Sequence, residues 1–450
     1  MSPMPATSSG RTTRRLLRSA AIAVTTFLTF LATATLPAQA ANVVTPGDFT
    51  GYGFDQCTAP TQASMDAWLT GSPYWAVGIY ISGDSRGCTS QPNLTPTWIS
   101  TQLAKGWRLL PITLGPQASC TTRPRYLTQV RIDPAPANAY SAARTQGRGE
   151  AAKTVAVAQG LGIVAGSTLW YDIESFDTSG TACRESALSF LSAWTAQLHR
   201  LGYVSGIYSS ASTGIKMLDD ARVNRPGAYV MPDRIWIADW NDNADVFSTF
   251  VRDTGWMPHQ RVHQYHGGHD ETYGGVTINI DNDWVDLGRG STIAAEPAHC
   301  GGVASFNFAS YPTRRIGDTG ALVKTIQCQL REKAFYTGTI DGIYDTDLGS
   351  AVRRYRVSRG LSSLTVVGPA AWVAMLSEGT GPLLKYGAAT TAVRRLQRAL
   401  NAADAAGVPI TGVFASQTAT AVKRYQVDHG LAGTGVVTSA VWDRLFAGTP

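Results

Sequence analysis

The last third of the chain repeats itself when it is shifted by 70 residues, and no gap is needed to keep the match. The matched positions include Val323 and Val393, Gln327 and Gln397, Gly342 and Gly412, Tyr355 and Tyr425, and Trp372 and Trp442. A repeat of fixed period indicates that one folding unit occurs twice. Val323, Ile326 and Leu330 have the spacing of one helix face. We therefore predict two small all-α modules, at residues 313–378 and 383–447.

The segment before the repeats alternates short strand-like runs with longer helix-like runs. The predicted strands are 51–55, 75–81, 107–114, 168–174, 203–208, 234–240, 262–266 and 276–283. Eight strands with helical crossovers in about 240 residues are typical of a (β/α)8 barrel, so we predict an α/β TIM-type barrel at 41–288. An open doubly wound sheet is the alternative, although the first strand is not followed by a G-x-G-x-x-G turn. Residues 289–312, rich in Gly, Ala, Ser and Pro, are predicted to be a linker.

The first 40 residues have the pattern of an export signal. A positively charged start is followed by an apolar run at 20–36 and by Ala38-Gln39-Ala40, which suits a signal peptidase. The arginines are Arg11, Arg14, Arg15 and Arg18. Residues 13–17 resemble a twin-arginine signal, and an ordinary Sec signal is the alternative. We expect a secreted, extracellular or cell-wall-associated monomer that has no contact with the membrane after cleavage.

The charge of the chain gives little support for a nucleic-acid partner. The signal segment holds four of the 38 basic residues and none of the 32 acidic residues, so the mature chain carries a net charge of only +2. The sequence has no basic run and no C-x-x-C zinc pattern. We therefore predict that the protein does not bind nucleic acid.

All six cysteines lie after the predicted cleavage site. An even number of cysteines in an exported protein favours disulfides over thiol chemistry. Cys300 and Cys328 are distant from the other four, so we pair them with each other. Three pairings remain open for Cys57, Cys88, Cys120 and Cys183.

The segment Trp170-Tyr171-Asp172-Ile173-Glu174 places two carboxylates two residues apart. In a strand such residues share a face, so Asp172 and Glu174 point in the same direction. Burying two acids side by side is costly unless they are paired or take part in chemistry. Catalytic groups of a barrel collect at the carboxyl ends of its strands, which favours a functional site here. A pair of acids that only caps the following loop is the alternative.

Other predicted strands bring further acids to the same end of the barrel: Asp55 on the first, Asp239 on the sixth, and Asp281 and Asp283 on the last. Aromatic residues follow close behind at Trp240, Tyr265 and Trp284. Acids beside exposed rings suit a sugar, because the rings stack on C–H faces while carboxylates bind hydroxyls.

These motifs resemble known families. Gly53-Phe54-Asp55, 171–174, Asp239, Gln264-Tyr265 and Asp281 are similar to the barrel lysozymes of glycoside hydrolase family 25. Residues 48–288 resemble more closely a related glycoside-hydrolase-like family, domain-of-unknown-function family 1906. The closer resemblance rests on 53–57, 78–81, 94–95 and 106–107. It implies a barrel fold and a cell-envelope glycan as substrate.

The resemblance to lysozymes implies a role for each acid. Glu174 would be the general acid, and Asp172 would activate water or stabilise the oxocarbenium-like state. Crowded acids raise the pKa of at least one member, which favours Glu174 as the proton donor. The catalytic group is completed by Asp55, Asp239 and Asp281, and the predicted substrate contacts are Tyr80, Trp240, Tyr265, Asp283 and Trp284. The spacing of the pair leaves both retaining and inverting hydrolysis open.

The two repeats resemble the three-helix peptidoglycan-binding module of cell-wall lytic enzymes. Asp341-Gly342 in the first copy and Tyr425-Gln426 in the second fit its pattern, while Asp345, Leu348, Arg356 and Thr411 depart from it. The resemblance implies that peptidoglycan or another cell-envelope glycan is the partner.

We therefore predict an exported cell-wall glycan hydrolase without cofactor or metal. Four histidines, His259, His263, His266 and His269, lie close together but lack an H-E-x-x-H pattern, and we interpret them as surface and loop residues. The alternative function is a wall-binding protein whose barrel recognises glycan without cutting it.

Overall fold

The computed structural model describes residues 41–450. The predicted export signal lies outside this range. Among the helices of residues 41–450, none is long and apolar enough to span a membrane.

Eight strands close into a barrel in chain order, which confirms the predicted fold class. The strands are β1 (Phe49–Asp55), β2 (Ala76–Ser82), β3 (Arg108–Thr113), β4 (Thr168–Asp172), β5 (Val204–Ser210), β6 (Arg234–Ala238), β7 (Gln260–Tyr273) and β8 (Val276–Leu287). The helices around them are α1 (Gln62–Gly71), α2 (Pro96–Ala104), α3 (Ala137–Gly160), α4 (Thr181–Arg200) and α5 (Lys216–Asn224). Strands β1 to β7 are parallel to their neighbours in this series.

The barrel departs from a regular (β/α)8 pattern at its last strand. β8 runs antiparallel to both β7 and β1. Gly274 and Gly275, both with positive φ, form the turn between β7 and β8. A two-residue turn joins only antiparallel strands, because a parallel pair needs a longer crossover. The direction of β8 therefore follows from this Gly-Gly turn.

The β7–β8 hairpin extends past the barrel rim and folds against α1. The indole N–H of Trp68 donates to the carbonyl of Val276 at 3.0 Å. The ring of Tyr273 meets that of Trp68 edge-on at 5.1 Å, and the hydroxyl of Tyr74 donates to Glu271 at 2.8 Å. The hairpin thus covers an outer wall of the barrel against which a crossover helix would otherwise pack.

The central part of the barrel interior is apolar. The indole rings of Trp170 and Trp236 meet edge-on at 5.4 Å and fill its centre. A Cβ on Gly206 would lie 2.3 Å from the ring of Trp170, so this position has room only for glycine. The interior cluster comprises Phe49, Ala76, Leu110, Ile112, Trp170, Trp236, Val262, Val285 and Leu287. At the amino end, Arg108 lies over the Phe49 ring and Arg234 donates to Thr168 at 2.8 Å, whereas the acids of the interior lie towards the carboxyl end.

The structure resolves the open cysteine pairings as Cys57–Cys88 and Cys120–Cys183, and it forms the predicted Cys300–Cys328 disulfide. The first two disulfides join loops at the carboxyl end of the barrel. Cys57 and Cys88 tie the segments after β1 and β2, and Cys120 holds the loop after β3 to the start of α4. The disulfides therefore stabilise the loops that surround the acidic residues.

Each repeat folds into three helices, as its family resemblance implied. They are α6 (Ala321–Glu332), α7 (Thr346–Ser358) and α8 (Pro369–Ser377), then α9 (Thr391–Asp404), α10 (Ser416–Asp428) and α11 (Ser439–Phe446). Every helix of the second copy begins 70 residues after its counterpart. Gln327 and Gln397 make the same contact, since each side-chain oxygen accepts the N–H of the loop glycine, Gly342 or Gly412.

Some departures from the repeat pattern have a structural role. Asp345 caps α7, because its carboxylate accepts the N–H of Leu348 at 2.7 Å. Arg356 donates to the carbonyl of Ser362 at 2.8 Å, whereas its counterpart Gln426 donates to the carbonyl of Val436 at 2.8 Å. Both side chains hold the turn after their helix, so the module tolerates either residue.

Residues 289–312, the predicted linker, pack against the helices of the repeats. Cys300 attaches them to α6 of the first copy. On α9 of the second copy, Arg398 donates to Glu296 and to Asn307. Cys328 and Arg398 are equivalent positions of the repeat, so the segment lies against the first helix of both copies.

The second copy docks on the barrel through a buried lysine. Lys385 Nζ donates to the carbonyls of Leu69, Ser72 and Tyr74 at 2.7, 3.3 and 2.6 Å. These carbonyls lie at or just beyond the end of α1, where a helix leaves acceptors free and favours a cation. The ammonium also lies 5.1 Å from the centre of the Trp107 ring. Within residues 41–450, the hydrogen bonds from the repeats to the barrel strands and helices come from this copy.

Candidate active site

Three strands bring carboxylates together at the carboxyl end of the barrel. Asp55 on β1 lies opposite Asp281 on β8 in the strand register, and Asp283 lies one side-chain pair deeper. Asp172 ends β4 and is completely buried. A Cβ on Gly78 would lie 2.4 Å from the Cβ of Asp55, so this glycine makes room for Asp55 inside the barrel.

Burial and mutual repulsion raise the pKa values of these acids. Burial, and then the charge of Asp281, raise the pKa of Asp55 well above its usual 3.8. Burial, and then the charge of Glu174, do the same to the pKa of Asp172. Burial, and then the charge of Asp55, raise the pKa of Asp283 well above its usual 3.8. Burial also raises the pKa of Asp281. The cluster consequently favours protonated carboxyls at pH values where an exposed aspartate is ionised.

Asp172 has one engaged oxygen and one free oxygen. Its Oδ2 accepts from the hydroxyl of Tyr80 at 3.2 Å, whereas Oδ1 has no hydrogen-bond partner in the described part of the chain. The backbone around it is held by Gln117, whose amide donates to the carbonyl of Asp172 and accepts the N–H of Glu174, both at 2.8 Å. Gln117 therefore fixes the geometry of the Asp172–Glu174 pair.

Glu174 lies just beyond β4 and reaches a cleft at the rim. Its Oε2 is 3.0 Å from a guanidinium nitrogen of Arg123, and Oε1 accepts from the hydroxyl of Tyr126 at 3.4 Å. The side chain is about one-fifth exposed. Of the predicted Asp172–Glu174 pair, only Glu174 is therefore accessible to a ligand.

The cleft has a volume of about 360 Å³ and combines acids with aromatic rings. Glu174 and Asp239 line it together with Arg123, Tyr208, Trp240 and Phe250. Trp240 is 66% exposed, and its indole N–H donates to Gln264 at 3.0 Å. Asp239 accepts from the hydroxyl of Ser248 at 2.7 Å. A ring that is exposed yet oriented by a hydrogen bond is suited to stacking on a sugar.

Gln264 connects the cleft to the buried acids. Its amide nitrogen donates to Asp55 at 2.7 Å. Its oxygen accepts from the hydroxyl of Tyr208 at 2.9 Å as well as from Trp240. One glutamine on β7 thus orients a tyrosine, a tryptophan and a carboxyl group of the site.

The chain matches two family models. Residues 66–285 match the Rv2525c-like, glycoside hydrolase-like domain. Residues 319–375 and 390–445 each match the putative peptidoglycan binding domain. The barrel is a Rv2525c-like glycoside hydrolase-like domain. Joined to two peptidoglycan-binding domains, it makes this protein one that is associated with cell-wall glycan.

Several known proteins are similar to parts of the chain. An uncharacterized protein in the bpoA1 3′ region of Kitasatospora aureofaciens is 30% identical over 104 residues, which is 22% of this chain and 85% of that protein. The Tat-secreted protein Rv2525c of Mycobacterium tuberculosis, solved with HEPES, is 13% identical with a TM-score of 0.35, covering 53% of this chain and 97% of that one. The spore cortex lytic enzyme SleM of Clostridium perfringens is 14% identical with a TM-score of 0.36, covering 52% and 67%.

Two predicted substrate contacts do not lie at the mouth of the glycoside hydrolase-like domain. Trp284 alternates with Asp283, so it points out of the barrel, where its ring meets those of Tyr52 and Tyr386 at 5.0 and 5.3 Å. Tyr265 alternates with the inward Gln264 and is likewise placed on the outer face. The prediction placed both residues at the mouth because each lies close in sequence to an acid or to another inward residue. Neighbouring residues of a strand point to opposite faces, so both side chains lie outside the barrel.

Asp283 also differs from the prediction. We expected it among the substrate contacts at the mouth, but it lies deep in the interior and is completely buried. Its Oδ1 accepts from the indole N–H of Trp236 at 2.9 Å. Because β8 is antiparallel, its later residues lie deeper in the barrel, which is the reverse of a parallel strand.

The interpretation of the histidines as surface and loop residues is wrong for His263, which is fully buried. Its two ring nitrogens lie 2.9 and 2.8 Å from the carbonyls of Asp245 and Asp239. This histidine therefore anchors the loop that carries Asp239 and Trp240.

Sequence reasoning missed Arg123, Gln117, Tyr126 and Phe250, which the structure places at the site. They lie in long loops without a recognisable motif, and the fold alone brings them to the rim. The inward position of Tyr208 and Gln264 could have been predicted, because each shares the inward face of its strand with residues of the barrel interior. Of the predicted site residues, Tyr80 donates to Asp172, and Asp239 and Trp240 line the cleft.

Proposed function

We propose that the protein is an exported hydrolase of peptidoglycan or a related envelope glycan. The observation that carries the proposal is the Asp172–Glu174 pair at the carboxyl end of a closed barrel, with the first acid buried and the second open to a cleft. Glycoside hydrolysis needs one protonated and one ionised carboxyl group beside the scissile bond. Asp239, across the same cleft, supplies a further acid.

Glu174 delivers the proton to the glycosidic oxygen, because it is the member of the pair that reaches the cleft. Asp172 lies beneath it, and repulsion between the two charges favours a pair that holds a single proton. When Glu174 holds that proton, Asp172 is the ionised member of the pair, and its negative charge stabilises the oxocarbenium-like state. The charge of Asp55 also raises the pKa of Asp172.

Trp240 and Phe250 form the apolar part of the sugar site. Their rings border the cleft that Glu174 enters, and both are exposed. Tyr80 and Asp239 supply hydrogen bonds for sugar hydroxyls. The repeats hold the enzyme on the wall, since two weak sites on one polymer increase the effective concentration of the barrel there. We also propose that the mature protein is a secreted monomer.

The ion pair between Glu174 and Arg123 favours a second candidate function. A general acid must hold a proton, whereas an ion pair requires the ionised carboxylate. If Arg123 keeps its contact when glycan is bound, the barrel recognises glycan without cutting it. Binding with no cleavage is the outcome that would distinguish this function.

The test compares the purified protein with Glu174→Gln on insoluble peptidoglycan. Glutamine keeps the shape but gives up no proton, and general acid catalysis is worth about 10²–10⁴-fold, so release of reducing ends should fall by that factor. Asp177→Asn is the matched control, because Asp177 follows in the same loop but is exposed, and its carboxylate accepts hydrogen bonds from Ser179 alone among residues 41–450. Melting temperatures of all three proteins should agree.

If the unmodified protein sediments with peptidoglycan but releases no reducing ends, the non-catalytic function replaces the hydrolase. If Glu174→Gln melts normally and cleaves at the original rate, Glu174 has no part in the mechanism.

A further inference from the structure

A second cleft lies where the second repeat docks on the barrel. It has a volume of about 400 Å³. The barrel contributes Tyr52 and Tyr273, and the repeat contributes Tyr386, Thr420 and Lys423. Neither unit forms this cleft alone, so it is separate from the acidic cleft at the barrel mouth.

One side of the junction cleft is aromatic. The rings of Tyr52 and Tyr386 meet at 5.2 Å, and Trp284 lies against both at 5.0 and 5.3 Å. Tyr52 and Tyr386 are only half-buried. The sequence associated Trp284 with sugar binding, and the structure places it behind this surface instead of at the acids.

The other side is basic. The residues that line the cleft include two lysines and no aspartate or glutamate. Lys385 is turned towards the carbonyls of the barrel, so the cation available to a ligand is Lys423. Its side chain lies over Gly435, where a Cβ would come within 3.0 Å of Cε. The neighbouring Arg424 pairs with Asp404 and Asp428, whereas Lys423 has no ion-pair partner among residues 41–450.

We propose that the junction cleft binds a carboxylate-bearing saccharide of the cell-wall glycan, with the tyrosine rings against the sugar and Lys423 against the carboxylate. Stacking on C–H faces accounts for the rings, and the absence of lining acids accounts for a preference for an anion. The inference rests on the proposed function, because it takes the wall glycan as the ligand. The junction cleft would hold a glycan chain on the side of the barrel, away from the acids.

The repeat supplies its own control. The position equivalent to Lys423 in the first copy is Arg353, also exposed and cationic, and the position equivalent to Tyr386 is Ile316. The first copy therefore presents a similar charge on the same fold but lacks the barrel wall and the tyrosine. A general attraction of the basic surface for anions would affect both positions equally.

The experiment measures binding by calorimetry on the whole protein, with Glu174→Gln present throughout so that no ligand is cleaved. The probes are the disaccharide of N-acetylglucosamine and N-acetylmuramic acid, which carries a carboxylate, and neutral chitobiose. An exposed ion pair is worth up to about 1 kcal/mol, so Lys423→Ala should bind the acidic disaccharide about two- to fivefold more weakly. Chitobiose binding should not change, and Arg353→Ala should match the parent. Thr420→Tyr, which fills the cleft, should weaken both sugars.

Equal affinity of Lys423→Ala and the parent for the acidic disaccharide would overturn the proposal. An equal loss in Arg353→Ala would do the same. Reducing-end release by the unmodified protein is measured separately, so a barrel that does not cleave would refute the hydrolase and leave the binding result standing.

Discussion

The protein buries ionisable side chains in two places, and the two differ in the partners that surround these groups. Inside the barrel, Asp55, Asp172 and Asp283 are completely or almost completely buried with no cation among their hydrogen-bond partners. On the outer wall, Lys385 is completely buried, and three carbonyls accept its hydrogen bonds.

This difference indicates a functional role for the buried acids and a structural role for Lys385. Removing a buried donor such as Lys385 is costly, because its acceptors are left buried without a partner. A buried acid that faces other acids costs stability and persists where its altered proton affinity is useful. Asp172 and Lys385 should therefore respond to substitution in opposite ways.

The largest expected effect is the loss of activity in Asp172→Asn. The substitution removes the negative charge that stabilises the developing cation, so reducing-end release should fall by about 10²-fold or more. Stability should be kept or increased, since a buried charge next to Glu174 is removed. Activity and melting temperature are measured on the same sample. A variant that loses activity only in proportion to unfolding would assign Asp172 to structure, like Lys385.

Lys385→Met should act in the opposite direction. It leaves the carbonyls of Leu69, Ser72 and Tyr74 without their donor, and the free energy of unfolding should fall by about 2–5 kcal/mol in denaturant titrations. The equivalent residue of the first copy is Arg315, which is exposed, so Arg315→Met should change stability by less than about 0.5 kcal/mol. If both variants lost the same free energy of unfolding, the contact of Lys385 with the barrel would make no specific contribution to stability.

The smallest expected effect is the pH dependence of stability caused by Asp283. Its pKa is raised in the folded protein, so the folded state holds its proton where the unfolded chain has released it. The stability it provides is complete below the unfolded pKa of about 3.8 and is lost as the pH rises towards the folded pKa.

Asp283→Asn removes this dependence while its oxygen still accepts from Trp236. The variant should therefore gain melting temperature over the unmodified protein between pH 4 and pH 8. A constant difference across that range would mean that folding does not raise the pKa of Asp283.

Much of the architecture could be predicted from residues alone. The 70-residue period and the helical spacing around Val323 predicted two helical modules, because repeated cores require repeated patterns. The strand rhythm predicted an eight-stranded barrel, and Asp172 and Glu174 could be assigned to one site because alternate residues of a strand share a face. The direction of β8 was missed, although Gly274-Gly275 is a signal for a hairpin turn.

The sequence by itself therefore determined the local units: the repeat, the strands, the acid pair and the isolated Cys300–Cys328 disulfide. Each depends on residues close in the chain or on a fixed period. Only the tertiary structure decided which loops bring Arg123 and Gln117 to Glu174, why Trp284 faces a tyrosine of the second repeat, and where Lys385 is buried. These contacts join residues up to 316 positions apart. Nothing in the local pattern encodes them, because they depend on how whole units pack.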